Sequence, residues 1–334
     1  HFFSTCIVAV GTLISAFWIL SANSWMQTPQ GFEIRADGLL YPTSWLEIIF
    51  NPSFPYRFAH MITAAYLTTA FAVAVVAAYY LYKNVHIQHA RIMFGMAMLM
   101  AIFVSPLQLF IGDAHGLNTL EYQPRKIAAI EGTWDTEKGA GLRLFAIPDQ
   151  QNQTNNYEII IPKLASLILT HSFDGEIKGL KEWKPEDQPP VIAVFWSFRV
   201  MVALGFAMII TGIFALFLYY RKRLFDTRWF QFWCIVMSPS GFIALLAGWF
   251  VTEIGRQPYT VYEVLRTSES ISPVIGPQIA ITLLAFVIVY SSIFGTACYY
   301  IIKLIKKGPK IGDEKEKFYD HSMLPVQVIK ELPL

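Results

Sequence analysis

Long apolar runs, each near the ~20 residues that a bilayer core demands, constrain this chain more than any other feature. Six can be read, over Thr5–Trp25, Phe58–Tyr82, Ile92–Ile111, Ile192–Tyr220, Trp229–Val251 and Val274–Ile305. Only 15% of the 334 residues are charged, against about 25% in an ordinary soluble domain. The expectation is an all-α, polytopic membrane bundle. Its organisation reads as helices 1–3 over 1–111, an outward loop over 112–191, helices 4–6 over 192–305 and a polar tail over 306–334.

Charge placement sets the orientation. Lys83 and Arg91 flank the second connection. Arg221, Lys222, Arg223 and Arg228 fill the fourth, and Lys303, Lys306, Lys307 and Lys310 follow the last run. If every run spans, these places share one side, which the positive-inside rule makes cytoplasmic. Segments 26–57, 112–191 and 252–273 then face outward. Trp25, Trp45, Tyr79, Tyr80, Tyr82, Tyr219, Tyr220, Trp229 and Trp233 fall near run ends, as an aromatic belt requires. No basic stripe suggests nucleic acid. Cys6, Cys234 and Cys298 lie inside apolar runs without ligand spacing and read as small helix residues. The chain opens at His1 with an apolar run and no signal-peptide pattern, so it reads as a piece of something longer.

Ionisable groups at membrane depth are costly and mark function by default. His60 lies near the outer end of the second run, in FAHMITAAY. Arg199 and Met201 lie early in the fourth, in FWSFRVMVALG. An imidazole and a thioether at similar depth on different helices could ligate the two faces of one haem iron. Arg199 could then meet a propionate or stabilise the reduced iron. The bland alternatives are an interfacial histidine and a packing methionine. Beyond the fifth run, GWFVTEIGRQPYTVYEVLRT alternates Glu253, Arg256, Glu263 and Arg266. It reads equally as a solvated ion-pair loop or as a site where Glu263 is an anionic ligand or proton acceptor. In the long loop, IGDAHG and RKIAAIEGTW carry Asp113, His115, Lys126 and Glu131, groups able to take protons from a substrate. Thr12, Ser15, Ser21 and Asn23 on the first run could pack helices or line a proton path.

Together these strings resemble cytochrome bd-type quinol oxidase subunit I. The match runs nearly the whole length and in order: GTLISAFWILSANSWMQTPQG, FAHMITAAY, GDAHG, KIAAIEGTW, FWSFRVMVALG and GWFVTEIGRQPYTVYEVLRT. The resemblance implies a multi-pass subunit of a bacterial or archaeal plasma membrane. It would oxidise quinol at the outer face and pass electrons through haems to oxygen, giving water and membrane potential without proton pumping. It implies low-spin haem b on His60 and Met201 with Arg199 tuning it, and high-spin haem b on Glu263, with Arg256 and Tyr259 nearby. Tyr259 stands where many members have Trp. Lys126, Glu131 and Asp113 match the quinol site. The family is expected to hold nine spanning helices, of which this chain matches the last six. The axial ligand of the third haem, d or a further b, belongs to the part before them, so this piece alone is expected not to reduce oxygen. The loop is the shorter form, and GDAHG resembles the cyanide-insensitive branch. Subunit II and a small accessory subunit are the implied partners. The rivals are a secondary transporter with His60, Arg199 and Glu263 as a buried substrate site, and a non-catalytic fragment.

Overall fold

The computed structural model describes residues 2–271 and 273–309. Its helices are α1 (Phe2–Gln27), α2 (Trp45–Ile49), α3 (Phe54–Lys83), α4 (Ile87–Tyr122), α5 (Pro124–Glu131), α6 (Leu164–Thr170), α7 (Val191–Tyr220), α8 (Arg228–Val236), α9 (Ser240–Ile254) and α10 (Gly276–Lys307). Six segments are long and apolar enough to cross a membrane: Phe2–Gln27, Trp45–Lys83, Ile87–Tyr122, Val191–Tyr220, Arg228–Ile254 and Gly276–Lys307. The expected helical bundle is therefore present.

Two expected boundaries are corrected. The third run does not end at Ile111. It continues as α4, which contains Pro106, to Tyr122, so Asp113 and His115 are helical and the connecting segment begins at residue 123. Gly-Asp-Ala-His-Gly offers weak helix formers, but neighbouring elements support the helix beyond them, as when Asn118 donates to the Pro52 carbonyl at 3.3 Å. The fifth run is not one helix. It breaks over Met237–Pro239 between α8 and α9, where Pro239 lacks the N–H that a continuous helix needs. Of the tail expected over 306–334, Lys306 and Lys307 continue α10, and 310–334 lie outside the described residues.

The segments between the long helices hold short antiparallel pairs that helical periodicity could not reveal. β1 (Phe32–Ile34) pairs with β2 (Leu40–Pro42), and β3 (Glu137–Lys138) with β6 (Glu176–Ile177). β4 (Leu142–Asp149) and β5 (Thr154–Ile161) form a hairpin, and β7 (Tyr259–Val261) pairs with β8 (Leu265–Arg266).

The chain divides into two compact units. The first comprises residues 1–69, 100–213 and 239–270. Its helices approach where side chains are small, as membrane packing prefers. A Cβ on Gly241 of α9 would lie 2.6 Å from Thr68 Cα of α3, and one on Gly212 of α7 would lie 3.0 Å from the Ala101 carbonyl of α4. Phe17 of α1 stacks edge-on against Phe50, Phe54 and Phe58. A further core gathers Ile127, Ala128, Ala129, Ile130, Trp134, Leu180, Val191, Val194 and Val251, so α5 sits at its centre.

Among the described residues, the second unit comprises 70–99, 214–238, 271 and 273–309. An alanine stripe, Ala70, Ala74, Ala77 and Ala78, is buried on α3, and Ala90 and Ala97 are buried on α4. Phe94 packs edge-on to Phe225 and Phe230. α10 ends with Lys306 and Lys307 in its last turn, where cations complement the helix dipole. No described side chain of α10 is buried.

Candidate functional site

The first unit concentrates polar residues where its long helices meet the segment that follows α4. Pro124 opens α5 at a position that needs no N–H, and Gly132 closes it in a left-handed conformation, φ 64°. The Thr133 N–H returns to the Ala128 carbonyl at 2.9 Å, a glycine-terminated helix end. A Cβ at 132 would also lie 3.2 Å from the Phe195 ring. Every residue from Arg125 to Glu131 is buried. Three of these are charged, which a connecting loop would keep in water.

Lys126 and Glu131 leave α5 toward different partners. Lys126 Nζ donates to Gln27 Oε1 at 2.6 Å, and Gln123 donates to the same oxygen at 3.0 Å. Around them lie Asn23, Arg57, Glu253 and Arg256. Asn23 donates to Glu253 at 2.9 Å and accepts from Arg57. Arg256 donates to Glu253 at 2.6 Å. Three buried donors here have no hydrogen-bond partner: Arg57 Nε, and Arg256 Nε and Nη1. Burial, followed by the charges of Arg57 and Arg256, holds the Lys126 ammonium well below the usual lysine range, with Glu253 opposing.

Glu131 reaches α7 instead. Arg199 Nη2 donates to Glu131 Oε2 at 3.2 Å, while its Nη1 and Nε bind the Ile130 and Arg143 carbonyls at 2.9 and 2.8 Å. The guanidinium lies 4.3 Å from the Phe195 ring centroid. Burial pushes the Glu131 carboxyl above its usual value, with Arg199 and Arg143 pulling the other way. Arg199, expected beside a haem, thus ties α5 and β4 to the helix that carries Met201.

His60 and Met201 lean on different neighbours. The His60 ring lies 5.5 Å from that of His115 on α4, centroid to centroid. A Cβ on Gly112 would come within 3.2 Å of His60 Cε1. Met201 Sδ faces Gly248 of α9, where an added Cβ would lie 3.1 Å away. Each side chain therefore packs close to a glycine, whose missing Cβ lets the neighbouring helix approach.

The remaining expected residues scatter. Asp113 is exposed on α4. The Glu263 side chain is 60% exposed and pairs with Arg125 at 3.0 Å. Tyr259 donates to Asp187 at 3.1 Å, and Arg266 pairs with the same carboxylate, so Tyr259 belongs to an outer ion-pair cluster. On α1, Ser21 donates to the Ile49 carbonyl at 2.9 Å and Asn23 joins the buried cluster, whereas Thr12 and Ser15 are exposed. No group of three or more His, Cys, Asp or Glu side chains capable of holding a bare metal ion occurs among the described residues.

Sequence reasoning passed over Arg57, Gln27, Gln108 and Gln123, and it treated Glu253 only as part of an ion-pair loop. Arg57 carried a legible signal, because an arginine one helical turn before His60 shares its face. The glutamines carried none, since an amide in a helix commits to nothing until its neighbours are known.

The comparisons agree with the strings. A family profile described as cytochrome bd terminal oxidase subunit I matches residues 1–309. Cytochrome bd ubiquinol oxidase subunit 1 of Bacillus subtilis (strain 168) is 34% identical over 319 residues, covering 92% of this chain and 68% of that protein. Cytochrome bd-II ubiquinol oxidase subunit 1 of Escherichia coli (strain K12) is 28% identical, covering 92% and 73%. The solved structure of bd oxidase from Geobacillus thermodenitrificans superposes with a TM-score of 0.81 at 28% identity, over 90% of this chain and 69% of that one. With the family profile spanning most of its length and its helices following a solved member, the chain belongs to the cytochrome bd terminal oxidase subunit I family.

Proposed function

We propose that this subunit of a terminal quinol oxidase receives quinol against α5, with Lys126 and Glu131 as its proton-accepting groups, and that His60 and Met201 would hold a low-spin haem b able to take up the electrons. The observation that carries the reading is the burial of α5 with its charges. A lysine and a glutamate stand on one short helix, each engaged with a different spanning helix.

Quinol gives up two protons with its two electrons, so its site needs bases near neutral pH. Burial holds Lys126 toward its neutral form and Glu131 toward its protonated form, away from the charged states of ordinary side chains. Arg199 keeps the Glu131 carboxylate compensated when it ionises, and Gln27 fixes the Lys126 nitrogen.

The family implies haem, and the residues fit it. The haems supply the one-electron chemistry that carries charge from quinol to oxygen. His60 and Met201 offer an imidazole and a thioether, a donor set suited to an electron-transfer haem. The unpartnered donors of Arg57 and Arg256 suit carboxylates such as haem propionates. For the high-spin haem b, Glu253 is the better-placed anionic ligand, because it lies in this cluster while Glu263 faces solvent. An oxygen-reducing haem d or further haem b, subunit II and an accessory subunit complete the proposed complex, in a bacterial plasma membrane. Family membership leaves the transporter reading without support.

The test is quinol kinetics of the purified complex. Glu131→Gln is expected to lower kcat/KM by about 100-fold, within the usual range for loss of a general base. The wild-type rate should fall at acid pH through a Glu131 pKa above the ordinary carboxylate range, and this limb should vanish in the variant. Lys126→Ala should raise KM or lower turnover. Wild-type kinetics in both variants would remove α5 from the quinol site.

A further inference from the structure

We infer that Gln108 of α4 is a positioning residue for the His60 imidazole, setting the ring's orientation and its donor strength toward iron. The inference rests on reading His60 as a haem ligand. Gln108 Nε2 lies 3.3 Å from both His60 ring nitrogens and donates to the His60 carbonyl at 3.2 Å. Its Oε1 contacts the Thr63 hydroxyl, which also lies 2.8 Å from the Ala59 carbonyl. The carboxamide is therefore held at both ends, by backbone and hydroxyl of the helix that carries His60. One turn further along α4, the backbone at Gly112 packs close to the same ring, where an added Cβ would lie 3.2 Å from Cε1. Residues four apart share a helix face, so α4 offers the imidazole a polar handle and a close-packed backbone together.

A ligating imidazole binds iron through one nitrogen and keeps an N–H on the other. The acceptor of that N–H fixes the ring and raises its basicity. A carboxamide can supply it. Turned by half a rotation, Gln108 Oε1 would accept from the ring N–H in place of the bond to the His60 carbonyl, and Nε2 would donate to Thr63 Oγ1, whose own hydrogen goes to the Ala59 carbonyl.

The experiment is a redox titration of the low-spin haem b band in the intact complex, for wild type, Gln108→Leu, Gln108→Glu and His60→Ala. Both Gln108 variants should keep the band. Its midpoint potential should rise in Gln108→Leu, where the ring N–H loses its acceptor and the ligand weakens. It should fall in Gln108→Glu, where an anionic acceptor strengthens the ligand. Packing changes alone do not produce shifts of opposite sign. Unchanged potentials, or shifts in the same direction, overturn the assignment. If Gln108→Leu fails to assemble, Thr63→Val, which releases the amide without removing it, must raise the potential, and an unchanged value there also overturns it. His60→Ala should lose the band; its persistence would instead sink the ligand reading on which the inference stands.

Discussion

Glu253 and Glu263 flank the same Gly-Arg-Gln-Pro turn but meet different surroundings. Glu253 is held by Asn23 and Arg256, whereas Glu263 projects into solvent with one arginine neighbour. A carboxylate serves as an iron ligand only where water cannot outcompete it. Glu253→Gln should therefore remove most of the high-spin haem b signal from reduced-minus-oxidised spectra of the complex, and Glu263→Gln should leave them at wild type. Equal loss in both would return the ligand role to Glu263. The sequence showed both carboxylates and could not rank them, because their spacing is equally suited to a surface ion pair and to a buried site. The same holds for Lys126 and Glu131: their types were informative, and their separate partners were not foreseeable.

At the scale of the element, α5 is the least expected feature. A short helix in a connecting segment is ordinarily amphipathic and half-solvated, yet this one is buried along its length. The Arg199–Glu131 pair, with side chains 11% and 6% exposed, locks it to α7. Removing one partner of a buried pair leaves an uncompensated charge, a loss of about 3–5 kcal/mol. Arg199→Leu should lower the thermal stability of the solubilised complex and raise the KM for quinol. Adding Glu131→Leu should recover part of the stability, because a buried pair replaced by apolar groups is often neutral, while quinol turnover stays low. Recovery of turnover in the double variant would show that Glu131 only compensates Arg199. The span of α4 was likewise hidden in the sequence. Gly112 and Gly116 read as a place where a helix ends, and tertiary contacts carried it on to Tyr122.

For the whole molecule, the distribution of Lys and Arg predicts which connections face the cytoplasm. A cysteine placed at Gln151, between β4 and β5, should react in intact cells with a membrane-impermeant maleimide. One placed at Lys222, after α7, should react only after permeabilisation. The reverse pattern would invert the topology and place the proposed quinol site on the cytoplasmic side.

The sequence by itself determined the spanning helices and the family. A bilayer imposes length and apolarity on each span directly, and the WMQTP, GDAHG and GRQP strings are local and ordered. Only the tertiary structure decided which polar residues meet. Gln27, Lys126, Arg57 and Glu253 lie far apart along the chain and converge on one cluster. Such convergence depends on how helices pack, and residue spacing does not encode it.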